Sequence, residues 1–169
     1  MHDPLRLACA RVEAVAKVHD MLHAQGSTDA LDFDAYIRAL CASLAAALGA
    51  DGQGRKIVME VEPVTMTPAT AQALALAISE LVTNAFRHGF APETLGTVWV
   101  QGRRGADGGF RLTVADDGKG LPNGFELGRG AGLGHRLVAI MAEQVGADLE
   151  VAGKSGARVT LAVPASCIG

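Results

Sequence analysis

The sequence of 169 residues carries a formal charge of -3 and is 49% hydrophobic and 20% charged, enough chain and apolar mass for one well-filled globular domain. With no basic block anywhere, that charge argues against a dedicated nucleic-acid binder. Cys9, Cys41 and Cys167 lie far apart without metal-ligand spacing, and no stretch approaches the roughly 18 uninterrupted apolar residues of a membrane span, so reduced thiols and a soluble, cytoplasmic chain are expected.

Residues 4 to 24 read as a helix. Leu5, Ala8, Val12, Val15, His19 and Leu22 form a narrow heptad seam, with Arg11, Glu13, Lys17 and Asp20 outside it. Such a seam makes no core alone and calls for a partner helix, with His19 as an interior histidine rather than a ligand. Gln25 to Asp29 breaks the pattern. A second helix is expected from Asp34 to Leu48, capped by Asp32 or Asp34, with Tyr36, Ile37, Leu40, Leu44 and Leu48 on one face. A glycine-rich loop, Gly49 to Gly54, leads to a strand from Arg55 to Glu62, alternating through Ile57, Met59 and Val61.

The central helix is expected to start at Thr67-Pro68 and to stop at Gly89 in a left-handed conformation. Leu74, Ile78, Leu81 and Ala85 make its apolar stripe. Beside it, Glu80, Asn84, Arg87 and His88 make a polar one. Thr97 to Arg103 and Phe110 to Ala115 read as a hairpin about Gly105–Gly109. Residues 116 to 131 are too glycine-rich for regular structure. Gly132 to Gly146 reads as a helix with Leu133, Leu137, Ile140 and Met141 inward, and Asp148 to Ala152 and Ala157 to Val163 as a last antiparallel pair. Strand pairs interleaved with helices predict a two-layer α/β sandwich, a mixed sheet with its helices on one face, preceded by the heptad helix.

Three stretches carry chemistry. The first is the polar stripe of the central helix. The second, Asp116-Asp117-Gly118-Lys119-Gly120, stands where a strand ends. An aspartate there can accept a hydrogen bond from a buried amino group, and glycines let backbone and ligand approach. The third, Gly130-Ala131-Gly132-Leu133-Gly134-His135, runs straight into a helix, whose free N–H groups and dipole favour phosphate. It is neither a P-loop nor a dinucleotide fingerprint. Each is weak alone, since polar turns and glycine loops are common.

Their order is specific. Glu-x-x-x-Asn-x-x-Arg-His, then strand-Asp-x-Gly-x-Gly, then Gly-x-Gly-Leu-Gly into a helix resembles the N, G1 and G2 boxes of the GHKL ATPases, over about residues 55 to 165. Gly156-Ala157-Arg158-Val159-Thr160 looks like the last box of that superfamily. Arg11 to Leu22 resembles the second dimerisation helix of bacterial sensor histidine kinases related to the HWE group, and Asp32 to Ile37 the beginning of their catalytic domain. The only tryptophan, Trp99, precedes the G1 box by too far for the signature of the HWE group proper.

The resemblance implies ATP and Mg²⁺ as cofactors. By it, Asn84 holds Mg²⁺, and Glu80 orients a metal-bound water or acts as general base. Arg87 steadies phosphate, and His88 lies near the nucleotide. Asp116 reads the adenine amino group, Gly118 and Gly120 shape its pocket, and Thr160 belongs to the same nucleotide site. Leu121 to Ala131 is a mobile lid that includes the nucleotide-binding Gly130, with Gly132, Leu133 and Gly134 cradling phosphate. Two departures stand out: Ala157 replaces a usual hydroxyl residue, and His135 a common leucine.

The implied domains are 1–27, half of a dimerisation hairpin, and 28–169, the ATP-binding catalytic domain. Neither His2, in the faint acceptor echo His2-Asp3-Pro4, nor His23 is well placed as phosphoacceptor. The expected activity is therefore γ-phosphoryl transfer to a histidine not on this chain, with a response regulator as partner and a homodimer in the full protein. An anti-sigma-type serine kinase shares the boxes, and a scaffold with a decayed ATP site is the non-enzymatic rival.

Overall fold

The computed structural model describes Ala16, Asp20, residues 30–127 and residues 132–169. The expected heptad helix, apart from those two positions, lies outside the described residues, as do His2, His19, His23, Gly130 and the last part of the expected lid.

Among the described residues, three long helices cover a five-stranded sheet. After β1 (Leu31–Asp32) come α1 (Phe33–Ala47), β2 (Arg55–Val61), β3 (Thr65–Met66), α2 (Pro68–Asn84), β4 (Gly96–Arg104) and β5 (Phe110–Asp116). Next are α3 (Leu133–Gln144), β6 (Asp148–Ala152) and β7 (Arg158–Val163). The sheet order is β2-β4-β5-β7-β6. Only β2 and β4 pair in parallel, and α2 lies in the crossover that parallel pairing requires. β1 and β3 form a separate antiparallel pair that the sequence did not suggest, since two-residue strands carry no periodicity.

Strand alternation separates the layers. Val98, Val100, Leu112, Val114 and Leu161 are buried against the helices, while Arg103 and Arg111, on the other face, make exposed ion pairs of 3.3 Å with Glu62 and Glu150. In α1, Phe33, Tyr36, Ile37, Leu40 and Leu44 face the core, with the Phe33 ring edge-on to Phe110 at 6.0 Å. Asp32 holds the N-cap position of α1, but its side chain makes no capping bond.

Helix α2 is buried nearly all round, which its small residues Ala71, Ala73, Ala75 and Ala77 permit. Thr67 Oγ1 caps it, accepting from Thr70 N at 3.2 Å. Its end differs from expectation. The α-helix stops at Asn84, a π turn spans Ala85–Gly89, and Phe90 leaves in extended conformation. Gly89 is not among the glycines with positive φ, so it is no left-handed stop. The face of α3 differs in part. Met141 is buried and Leu137 half-buried against the core, in line with expectation, but Leu133 is 84% and Ile140 53% exposed while Val138 and Ala142 are buried. Contact with α2 selects the smaller side chains of Val138 and Ala142.

Candidate functional site

A cavity of about 240 Å³ opens between the end of α2, the β5–β7 strand ends and the start of α3. Asp116, the last residue of β5, is buried at its inner wall. Its Oδ1 accepts from Gly118 N at 2.9 Å and Ala157 N at 3.2 Å, which fixes the carboxylate plane. Among the described residues Oδ2 accepts no hydrogen bond, so one acceptor is left for a ligand's N–H. Asp117 has the opposite duty: its Oδ1 takes Thr97 N at 2.7 Å and ties the turn to β4.

Close backbone approach explains one glycine beside Asp116. Gly156 has φ +80°, and a Cβ there would run into the Asp116 carbonyl oxygen. At Gly89 a Cβ would stand 3.4 Å from Asp116 Oδ1, ordinary contact, so Gly89 lies directly against the carboxylate without being required there for space. Gly89 O also accepts from Lys119 N at 2.8 Å, joining the π turn to the Asp116–Gly120 turn.

From α2 come Glu80 and Asn84. Glu80 is buried, and a Cβ on Gly134 would collide with its carboxylate, so α2 and the glycine start of α3 meet there. Asn84 is half-buried and lines the cavity, its Nδ2 3.5 Å from His135 Nε2. The wider π turn keeps His88 on the cavity wall. Arg87 is exposed and absent from that wall.

Gly120 and Leu121 line the cavity, and Gly118 packs behind Asp116 against the Gly89 carbonyl. Gly132 is the N-cap of α3 with no capping side chain, which leaves the first N–H groups of α3 for an anion. Exposed Leu133 stands outside the cavity.

Thr160 is not brought into the site. Alternation in β7 puts Val159 on the cavity wall and turns Thr160 to the other face, where its hydroxyl pairs with Thr113 Oγ1 at 2.9 Å. Ala157, where a hydroxyl was expected, lines the cavity and serves Asp116 through its backbone.

Sequence reasoning missed two residues. His135 projects from the first turn of α3 into the cavity with Phe125 edge-on at 5.0 Å. Burial, and then nearby His88, hold its imidazole below the usual histidine range, so the ring is neutral. The available signal was the departure from leucine at that position. Arg55 is buried, although it opens a strand. Its guanidinium donates to the carbonyls of Phe86 at 3.0 Å, Ala91 at 2.9 Å and Thr94 at 3.4 Å, and its charge lies 5.1 Å from the Phe90 ring centroid.

Asn84 and Glu80 supply oxygen donors one helical turn apart, chemistry that fits a hard divalent cation. Among the described residues no group of three or more His, Cys, Asp or Glu could hold a metal alone, so a cation here needs oxygens from a ligand. No described helix is long and apolar enough to cross a membrane.

Residues 69–166 match the family model of histidine kinase-, DNA gyrase B- and HSP90-like ATPases, and residues 2–48 match a histidine kinase model. Blue-light-activated histidine kinase 2 of Erythrobacter litoralis is 30% identical over 159 residues, covering 92% of this chain and 46% of that protein. Sensor histidine kinase PdtaS of Mycobacterium tuberculosis is 39% identical over 98 residues, 56% of this chain and 19% of that protein. The chain thus spans less than half the length of these relatives. Among solved structures, the histidine kinase domain of the Erythrobacter litoralis EL346 blue-light activated kinase superposes with a TM-score of 0.86 at 25% identity, covering 95% of this chain and 80% of that one.

Proposed function

Because the chain belongs to the histidine kinase-, DNA gyrase B- and HSP90-like ATPases, we propose that its cavity takes Mg²⁺–ATP and that it acts as the catalytic domain of a two-component histidine kinase. The observation that carries this reading is Asp116 Oδ2, the oxygen of a buried residue that opens onto the cavity with no hydrogen bond among the described residues, in a cavity that ends at a helix N-terminus. An adenine amino group satisfies the acceptor, and the first N–H groups of α3 meet phosphate.

Asn84 would hold Mg²⁺ through its amide oxygen, and the ion would supply charge compensation for the phosphates there. Glu80 is placed to take or direct a proton beside the Gly134 end of α3. Gly118, Gly120 and Leu121 shape the adenine end, with Leu121 onward as lid. Arg87, exposed here, reaches phosphate only if its side chain swings inward. The acceptor is a histidine on a helix outside this sequence, paired in a homodimer with residues 1–27, and the phosphoryl group passes on to a response regulator in the cytoplasm. Residues 28–169 are the ATP-binding unit.

Calorimetric titration with Mg²⁺–ATP tests the reading. Saturable binding is expected in the parent, and in Asp116→Ala a loss of at least tenfold, on the scale of 1.5–3 kcal/mol for a charge-assisted hydrogen bond. No binding in the parent would sink the proposal. Adding acceptor helices from a histidine kinase should then give acid-labile phosphohistidine; phosphoserine would point to the serine-kinase relative instead.

A further inference from the structure

His135 and Lys119 are ionisable side chains at the cavity that the ATP reading gives no task, and of the two His135 stands against Asn84. Its Nε2 meets Asn84 Nδ2 at 3.5 Å. An amide nitrogen has hydrogens and no lone pair to offer, so in the tautomer with its proton on Nδ1 the ring presents the Nε2 lone pair to Asn84. The edge-on Phe125 ring holds the imidazole plane. The side chain expected to hold a cation therefore has a neutral imidazole lone pair beside it.

Turning the Asn84 amide over, a rotation that costs little in shape, sets Oδ1 against Nε2. Two acceptors then face each other, an arrangement that only a proton or a cation relieves. A separation of 3.5 Å can be bridged by a cation with bonds of roughly 2.1 Å to each atom. Glu80, His88, Asp116 and Lys119 are the other charged or titratable groups in or beside this part of the site.

We propose that His135 is a second protein ligand, with Asn84, to the divalent cation that accompanies the nucleotide, and that this mixed nitrogen–oxygen donor set favours Mn²⁺ over Mg²⁺. The inference rests on the ATP reading. Its chemical basis is that Mg²⁺ keeps to oxygen and water, whereas an imidazole gains affinity as the metal becomes softer. With phosphate supplying the remaining oxygens, binding of the metal depends on the nucleotide, which agrees with the absence of a free-standing metal cluster among the described residues.

The test is pulsed electron paramagnetic resonance of Mn²⁺ bound to the full chain with a non-hydrolysable ATP analogue, with and without ¹⁵N-histidine labelling. A directly bound nitrogen should appear and change isotope with the label. It should vanish in His135→Leu and persist in His88→Leu, each variant first checked by thermal melting. The ratio of Mn²⁺ to Mg²⁺ affinity, read by nucleotide titration, should fall about tenfold in His135→Leu. Bound Mn²⁺–nucleotide without a label-sensitive nitrogen, or with one that disappears in His88→Leu, overturns this assignment and leaves the ATP reading standing. No bound Mn²⁺–nucleotide at all overturns both.

Discussion

Asp116 and Asp117 fall on opposite faces because they end a strand: one carboxylate is turned into the cavity and the other ties down Thr97 N. Which of two adjacent aspartates serves a ligand is therefore decided by the parity of β5. Val114 and Asp116 share the inner face, so the same alternation that builds the core aims the carboxylate. Glycines around it divide by what a methyl group would meet. Gly156→Ala combines a positive φ with a collision against the Asp116 backbone, and we expect a loss well above the ~1 kcal/mol of glycine-to-alanine strain alone, together with weakened nucleotide binding. Gly52, by contrast, has open space and no positive φ. Gly52→Ala should be neutral or gain about 0.4–1 kcal/mol by restricting the unfolded chain. Thermal melting of both variants checks this pair, and similar shifts for the two would refute the account of Gly156.

At the scale of elements, the end of α2 depends on Arg55. The π turn and the chain after it expose the carbonyls of Phe86, Ala91 and Thr94, and the guanidinium satisfies all three while its charge stands at a helix C-terminus, where the dipole is negative. Among the described residues no carboxylate pairs with this buried cation. Arg55→Met should cost roughly 2–4 kcal/mol, because carbonyls in the interior lose charge-assisted bonds. Arg55→Lys should recover part of that but not the fork geometry. Urea unfolding measures both; a loss below 1 kcal/mol in Arg55→Met would show that water replaces the clamp. None of this was legible in the sequence. Ala85-Phe86-Arg87-His88-Gly89 is as compatible with α as with π geometry, and an arginine at a strand start reads as surface. Legible elements had strong local signals: Thr67-Pro68 for the start of α2, and alternation for β2. For α3, two candidate faces that share Met141 differ by a small rotation, and only the packing against α2 distinguishes Val138 and Ala142 from Leu133 and Ile140.

Across the whole molecule, the order of three motifs located the cavity because chain order and sheet topology together bring the end of α2, the end of β5 and the start of α3 to one place. Thr160 escaped that logic, since motif membership says nothing about strand parity. The same core that carries the cavity wall also buries two weak acids on α1. Burial pushes the Cys41 thiol up to about 12 from 9.0, and it pushes the Tyr36 phenol well above its usual value of 10.0; the Tyr36 hydroxyl has no hydrogen-bond partner among the described residues. In the unfolded chain both groups ionise near their ordinary values, so in alkali the folded state binds more protons than the unfolded one. Stability is then complete below about pH 9 and falls as the pH rises from there toward 12, each group contributing a slope of up to about 1.4 kcal/mol per pH unit. Urea midpoints should be flat from pH 7 to 8.5 and decline above pH 9. Cys41→Ala, though less stable at neutral pH because it leaves a small cavity, should show a shallower decline between pH 9 and 10, where Tyr36 has barely begun to contribute. Equal slopes in parent and variant would mean that the thiol reaches water in the folded protein, and that α1 packs less tightly on the sheet than its buried face indicates.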